Sequence, residues 1–163
     1  MAQINGSGSR RETFLSEESE LEHLIRELFE SQKLAVLGTQ NQGQPYANLI
    51  AFAASEDLKS LYFATTRATR KYANIEADAR VTVLIDNRSN QDSDFSQAAA
   101  VTATGTAQEV VASKRGEVLA IYLAKHPMLK DFVQSPSCAL LQIKVATYYL
   151  VRRFQNVMEL HVK

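Results

Sequence analysis

Cysteine is nearly missing from this 163-residue chain, where Cys138 stands alone. An internal disulfide is excluded, and one thiol with His23, His126 and His161 gives no ligand spacing of the CxxC or HExxH kind. No metal site is expected. Cys138 precedes the apolar run Ala139–Leu141 and reads as a buried, inert thiol rather than a nucleophile. An excess of charge of one sign is lacking too: 18 basic and 18 acidic side chains cancel, and the sequence pI is near 6.8. The broad field that a nucleic-acid binder or a polybasic membrane anchor uses is therefore absent, and neither partner is expected. Long hydrophobic runs are missing as well. Leu49 to Ala54 is six residues against the roughly 20 that cross a bilayer. The start Met1-Ala2-Gln3-Ile4-Asn5 has no signal-peptide core, so a soluble cytoplasmic protein is expected.

What is present is 45% hydrophobic, enough for one compact domain. Residues 1–12, with Gly6-Ser7-Gly8-Ser9 and then Arg10 and Arg11, have linker composition and read as a disordered tail. From Ser16, taken as an N-cap, the apolar positions Leu21, Leu24, Ile25, Leu28 and Phe29 follow helical spacing and form one stripe. Then come strand patterns over Leu34–Thr39, Pro45–Ser55 and Ser60–Thr65, joined by the polar turns Asn41–Gln44 and Glu56–Lys59. A short helix ends at Asp78-Ala79, a fourth strand runs over Arg80–Ile85, and a long polar loop covers Asn87–Gln97. A fifth strand is expected through Ala98–Val110, a helix at about Ser113–Lys125, and last strands over Ala139–Val151 and Phe154–Val162. The strands do not alternate with helices as a parallel sheet requires. The fold class is mainly β with flanking α: a six- to seven-stranded antiparallel barrel with peripheral helices.

The most informative stretch is Tyr62 to Asp86, YFATTRATRKYANIEADARVTVLID. A strand ends in Thr65 and Thr66, and Thr69, Arg70 and Lys71 open a helix whose Tyr72 and Ile75 can face the core. Hydroxyls, helix N–H groups without intrahelical acceptors, the positive end of the dipole and cations all favour a phosphate. The competing reading makes Arg67, Arg70 and Lys71 an ordinary solvated helix start.

Taken in order, GQPYANLIAF, YFATTRATRKYANIEADARVTVLID and VTATGTAQEV resemble the flavin-binding split-barrel superfamily typified by pyridoxamine 5'-phosphate oxidase. The resemblance runs from Ser16 to Lys163. It implies a Greek-key split β-barrel over residues 13–163, with FMN between the two subunits of a homodimer. By that resemblance Thr65, Thr69, Arg70 and Lys71 hold the phosphate with Thr66 adjacent. The ring lies along Asn48, Leu49 and Ile50, and Phe154, in the RRFQ run, comes from the partner subunit. The implied activity is an FMN-dependent oxidoreductase acting on an unidentified small molecule. Rival implications are a non-catalytic flavin or electron-transfer protein, a heme-binding protein, or use of the deazaflavin F420.

The chain departs from the vitamin oxidase it resembles. An Arg and a Lys of the hairpin strand are replaced around Asn48, Ala51, Ala53 and Ala54. The oxidase's helix Tyr is kept as Tyr122, but His126 and Lys130 stand where its Arg and Ser would be. The C-terminal RxH pair becomes Glu159 and His161, a reversal of charge. Pyridoxamine 5'-phosphate is therefore not the expected substrate. His126 reads either as a base or as a helix-end histidine favoured by the dipole, and His161 as a ring neighbour or a solvent-facing residue. Asp86–Asn90 reads as a polar turn or as a loop at the substrate. No residue is singled out as a catalytic acid or base.

Overall fold

A computed structural model describes residues 9–153 and 156–163, with side chains described from residue 17. Helix α1 (Ser9–Ser31) leads into strands β1 (Leu34–Asn41), β2 (Gln44–Ala54) and β3 (Ser60–Thr66). Next come α2 (Arg70–Ala77), β4 (Arg80–Asp86), the one-turn α3 (Asp94–Gln97) and β5 (Ala99–Glu109). A 3-10 turn at Ala112–Lys114 then opens α4 (Arg115–Lys125). Helix α5 (Lys130–Gln134) precedes β6 (Cys138–Arg152) and β7 (Asn156–His161).

The sheet order is β3-β2-β1-β4-β5-β6-β7, and β3 also pairs with β6, so six antiparallel strands close a barrel and β7 extends it. Spatial neighbours β4-β1-β2-β3 are the 4-1-2-3 order of a Greek key. The expected fold class is the observed one.

Local chemistry sets the turns. Gln42 and Gly43 both take positive φ, 51° and 82°, as a two-residue hairpin between β1 and β2 demands. In the β2–β3 turn Leu58 also has positive φ, 58°, and is buried at 4% exposure. Its carbonyl accepts from the Tyr148 hydroxyl at 2.7 Å. At the register shift between Thr104 and Gly105, a Cβ on Gly105 would run into the Lys144 carbonyl, so that bulge requires glycine.

The core has two parts. Leu21, Ile25, Leu28 and Phe29 of α1 pack with the barrel interior, including Leu37, Phe52, Phe63, Val83 and Tyr148. Phe29 meets Phe52 and Tyr148 edge-on at 5.5 and 5.7 Å. The apolar stripe of α1 is thus as expected, but the helix begins at Ser9 rather than being capped at Ser16. Of the tail expected over 1–12, residues 1–8 lie outside the described residues, and 9–12 belong to α1. The second cluster is external: Val118 and Tyr122 of α4, with Val133, pack on Ala53, Tyr62, Cys138 and Leu140. Cys138 is a buried free thiol whose pKa burial pushes up, the inert state expected of it.

Candidate functional site

The inward columns of three strands turn polar toward one rim of the barrel. Along β1 the inward positions run Ala35, Leu37, Thr39; along β2, from the other end, Phe52, Ile50, Asn48; along β3, Leu61, Phe63, Thr65. The β1 and β3 columns end in Thr39 and Thr65, and along β2 Asn48 stands opposite Leu37, one inward position before the Thr39–Tyr46 pair. Thr39 and Thr65 are buried. Helix α2 closes this rim, and its buried Asn74 donates through Nδ2 to the Thr39 hydroxyl at 2.9 Å.

The expected phosphate segment lies here. Thr69 is the N-cap of α2, its Oγ1 accepting from the Tyr72 N–H at 3.4 Å and donating to the Thr66 carbonyl at 2.9 Å. The Thr65 and Thr69 hydroxyls are 3.0 Å apart, and Lys71 Nζ is 3.5 Å from Thr65 Oγ1. The first intrahelical N–H donor is that of Ala73, bonded to the Thr69 carbonyl at 3.1 Å, so the Arg70 and Lys71 N–H groups have no acceptor within the helix. Burial lowers the Lys71 pKa, and an anion beside it would favour the charged form. Arg70 sits over the Tyr46 ring, 5.2 Å from its centroid.

Arg67 does not join this group. Its guanidinium pairs with Glu109 at 2.7 Å and donates to the Pro136 and Cys138 carbonyls at 3.0 and 3.3 Å. It ties the β3 exit to the start of β6.

Strand β2 supplies the second half. Asn48 Oδ1 is buried with no hydrogen-bond partner among the described residues, an acceptor left open at the rim. Ile50 is buried and Leu49 is 64% exposed on the outer face. Asn48, Leu49 and Ile50 therefore present one polar, one exposed apolar and one core side chain. Phe154 lies outside the described residues.

The residues carried over from the oxidase's substrate set sit elsewhere. Tyr122 is 1% exposed, and its hydroxyl donates to the Ala51 carbonyl at 3.3 Å. His126 is 5% exposed, with Nε2 2.8 Å from the Phe52 carbonyl. Burial lowers its pKa and favours the neutral ring. Lys130 is exposed. On β7, His161 is 3.2 Å from the Thr147 hydroxyl and 3.5 Å from Glu159, with its side chain 69% exposed. The Asp86–Asn90 stretch is an ordered turn: Asp86 pairs with Arg88 at 3.0 Å, and Asp94 accepts from the Ser89 and Asn90 N–H groups at 2.9 and 2.7 Å.

Sequence reading missed Thr39, Tyr46 and Asn74. Their only signals are a Thr at the end of an otherwise apolar inward column, an aromatic after Pro45, and an Asn at a core-facing position of α2.

No group of three or more His, Cys, Asp or Glu able to hold a metal occurs among the described residues. No helix among them is long and apolar enough to cross a membrane.

Several solved structures share the fold. A protein of unknown function from Agrobacterium tumefaciens superposes with TM-score 0.72 at 20% identity, covering 82% of this chain. This chain spans only 57% of that protein's length. The heme storage protein HutZ from Vibrio cholerae gives 0.66 at 18% identity, covering 77% of this chain and 89% of its own. A FAD-binding protein from Mesorhizobium loti gives 0.62 at 18% identity, covering 79% and 90%. No curated protein sequence matches the chain. The pyridoxamine 5'-phosphate oxidase family model matches residues 21–152, most of the closed barrel and its helices, and the chain belongs to that family.

Proposed function

We propose that the protein is an FMN-binding oxidoreductase that works as a homodimer and is not the vitamin oxidase. The observation that carries the reading is the convergence at one rim of the α2 N-terminus, Thr65, Thr69, Arg70 and Lys71 with the unpartnered Asn48 Oδ1. These groups fit FMN, which supplies two-electron redox chemistry when bound. Arg70 and Lys71 provide charge and N–H donors for the phosphate, and Thr65 and Thr69 line the same spot. Asn48 and the adjoining β2 backbone offer polar groups to the ring edge, and the core beneath Ile50 and Phe63 excludes water from that side.

The outer sheet face supports a dimer. Leu49 pairs with Val36, and Val36 with Leu84, so three apolar side chains line up across β2, β1 and β4. Leu34 and Leu49 are 54% and 64% exposed. The row begins on the proposed ring strand, so a two-fold partner seated on it would also cover the flavin.

Solved relatives named for heme give the competing reading, with His161, beside Glu159, and His23 both exposed. Absorption spectra of purified protein mixed with FMN, with hemin and with F420 test the choice. Saturable flavin bands are expected; a Soret complex without flavin binding would favour the heme reading.

A further inference from the structure

We infer that Tyr122 is a positioning residue for the flavin strand: its hydroxyl stands where the next β2–β3 rung would form and keeps the edge of β2 open. The inference rests on the reading of β2 as the strand beside the ring.

The ladder shows where the strands part. β2 pairs with β1 along its length, from Gln44 opposite Asn41 to Ala51 opposite Leu34. With β3 it pairs only at Phe52–Phe63, Ala53–Tyr62 and Ala54–Leu61. β3 nevertheless continues on its other side, pairing with β6 as far as Thr66. The split is therefore confined to one seam. The Phe52 N–H donates to Lys33 on the β1 side at 3.4 Å, so alternate residues Ala53, Ala51 and Leu49 direct their N–H and C=O toward β3. Continued in register, Ala51 would next face Ala64, and Leu49 would face Thr66.

Tyr122 occupies that next rung. Its hydroxyl donates to the Ala51 carbonyl at 3.3 Å, the carbonyl that the continued register would set opposite Ala64. The Ala51 carbonyl that would have paired is thus satisfied by the phenol hydroxyl instead. His126, the C-cap residue of α4, lies with Nε2 2.8 Å from the adjacent Phe52 carbonyl and its ring 5.1 Å from that of Tyr122. The two side chains fix α4 to consecutive β2 carbonyls. Beyond the wedge, the Leu49 backbone faces a β3 that does not pair with it, which leaves main-chain donor and acceptor for a flavin edge.

A purely packing role is the alternative, and phenylalanine would serve it equally. Tyr122→Phe keeps the ring and removes the wedge, so Ala51 and Ala64 can pair directly and Leu49 can follow. In the FMN-free protein, the Leu49 amide of Tyr122→Phe should exchange with deuterium at least about tenfold more slowly than in wild type. FMN affinity should fall by about tenfold or more while the melting temperature moves little. Unchanged Leu49 exchange and unchanged affinity would overturn the inference. If wild type binds no FMN, the functional reading fails, yet the exchange comparison still decides the wedge: slowed exchange supports it and equal exchange overturns it. Should the variant not fold, wild-type exchange decides: a Leu49 amide much less protected than that of Ala53 supports the split, and equal protection contradicts it.

Discussion

The Asn74 side chain donates to the Thr39 hydroxyl at 2.9 Å, and both residues are buried, at 3% and 4% exposure. This bond fastens α2 to β1 at the polar rim and so sets where the α2 N-terminus points. Asn74→Ala would leave the Thr39 hydroxyl without that donor in a buried site, at about 1–3 kcal/mol. Thermal unfolding should show the loss, with a weaker FMN complex beside it; an unchanged melting temperature would argue that the rim is wetter than its burial implies.

The three cations of the TTRATRK run separate by role. Replacing both Arg70 and Lys71 by Ala removes charge-assisted partners worth about 1.5–3 kcal/mol each, so FMN affinity should fall at least about tenfold. Arg67→Ala should lower stability modestly, because it breaks bonds to Glu109, Pro136 and Cys138, and leave FMN affinity nearly intact. Equal effects of the two changes on affinity would contradict this division.

Much of this was legible in the sequence, for reasons that are local. The α1 stripe and the Thr69 start of α2 are written in neighbouring residues, and both stand as expected. The rest depends on partners distant in sequence. Arg67 looks like Arg70 until β5 and β6 bring Glu109 and Cys138 beside it. Tyr122 and His126 read as a substrate or base pair until folding places the β2 carbonyls against them, 71 and 74 residues away in the chain. Ser16 had the residue type of a cap, but α1 continues through it.

Two glycines should respond in opposite directions. Gly105→Ala puts a methyl group into the Lys144 carbonyl and should destabilise by about 3 kcal/mol or more, within the range of overpacking and backbone strain. Gly116, near the start of α4, has nothing within 4 Å of its added Cβ. Gly116→Ala should stabilise by about 0.4–1 kcal/mol. Denaturant midpoints measure both.

Lys125 gives a pH signature. Its Nζ donates to the Phe29 carbonyl at 2.8 Å and lies 3.7 Å from the Phe52 ring centroid, and burial lowers its pKa from 10.5 to about 8. The unfolded chain binds the proton more tightly, so stability rises as pH increases from about 8 to 10.5 and is reduced below that window. Partial exposure of the side chain makes the effect smaller than the shift alone implies. Wild type should gain stability relative to Lys125→Met across this range; parallel pH profiles would refute the burial.

Pyridoxamine 5'-phosphate should be a poor substrate. Tyr122 and His126 are buried against β2 carbonyls, and Glu159 stands beside His161 where a cation would favour an anion. Oxygen-dependent pyridoxal 5'-phosphate formation by FMN-loaded protein should have kcat/KM far below about 10⁴ M⁻¹s⁻¹. Turnover above that value would restore the vitamin oxidase.

The central claim is a flavin held at the rim of a dimer, and titration of the purified protein with FMN, with light scattering of the saturated sample, tests it most directly. The account predicts one FMN per chain in a particle of about twice 18.1 kDa, and Leu49→Lys should shift it toward monomer with loss of flavin. A protein that binds no FMN, or a monomer that retains one FMN per chain, would contradict it.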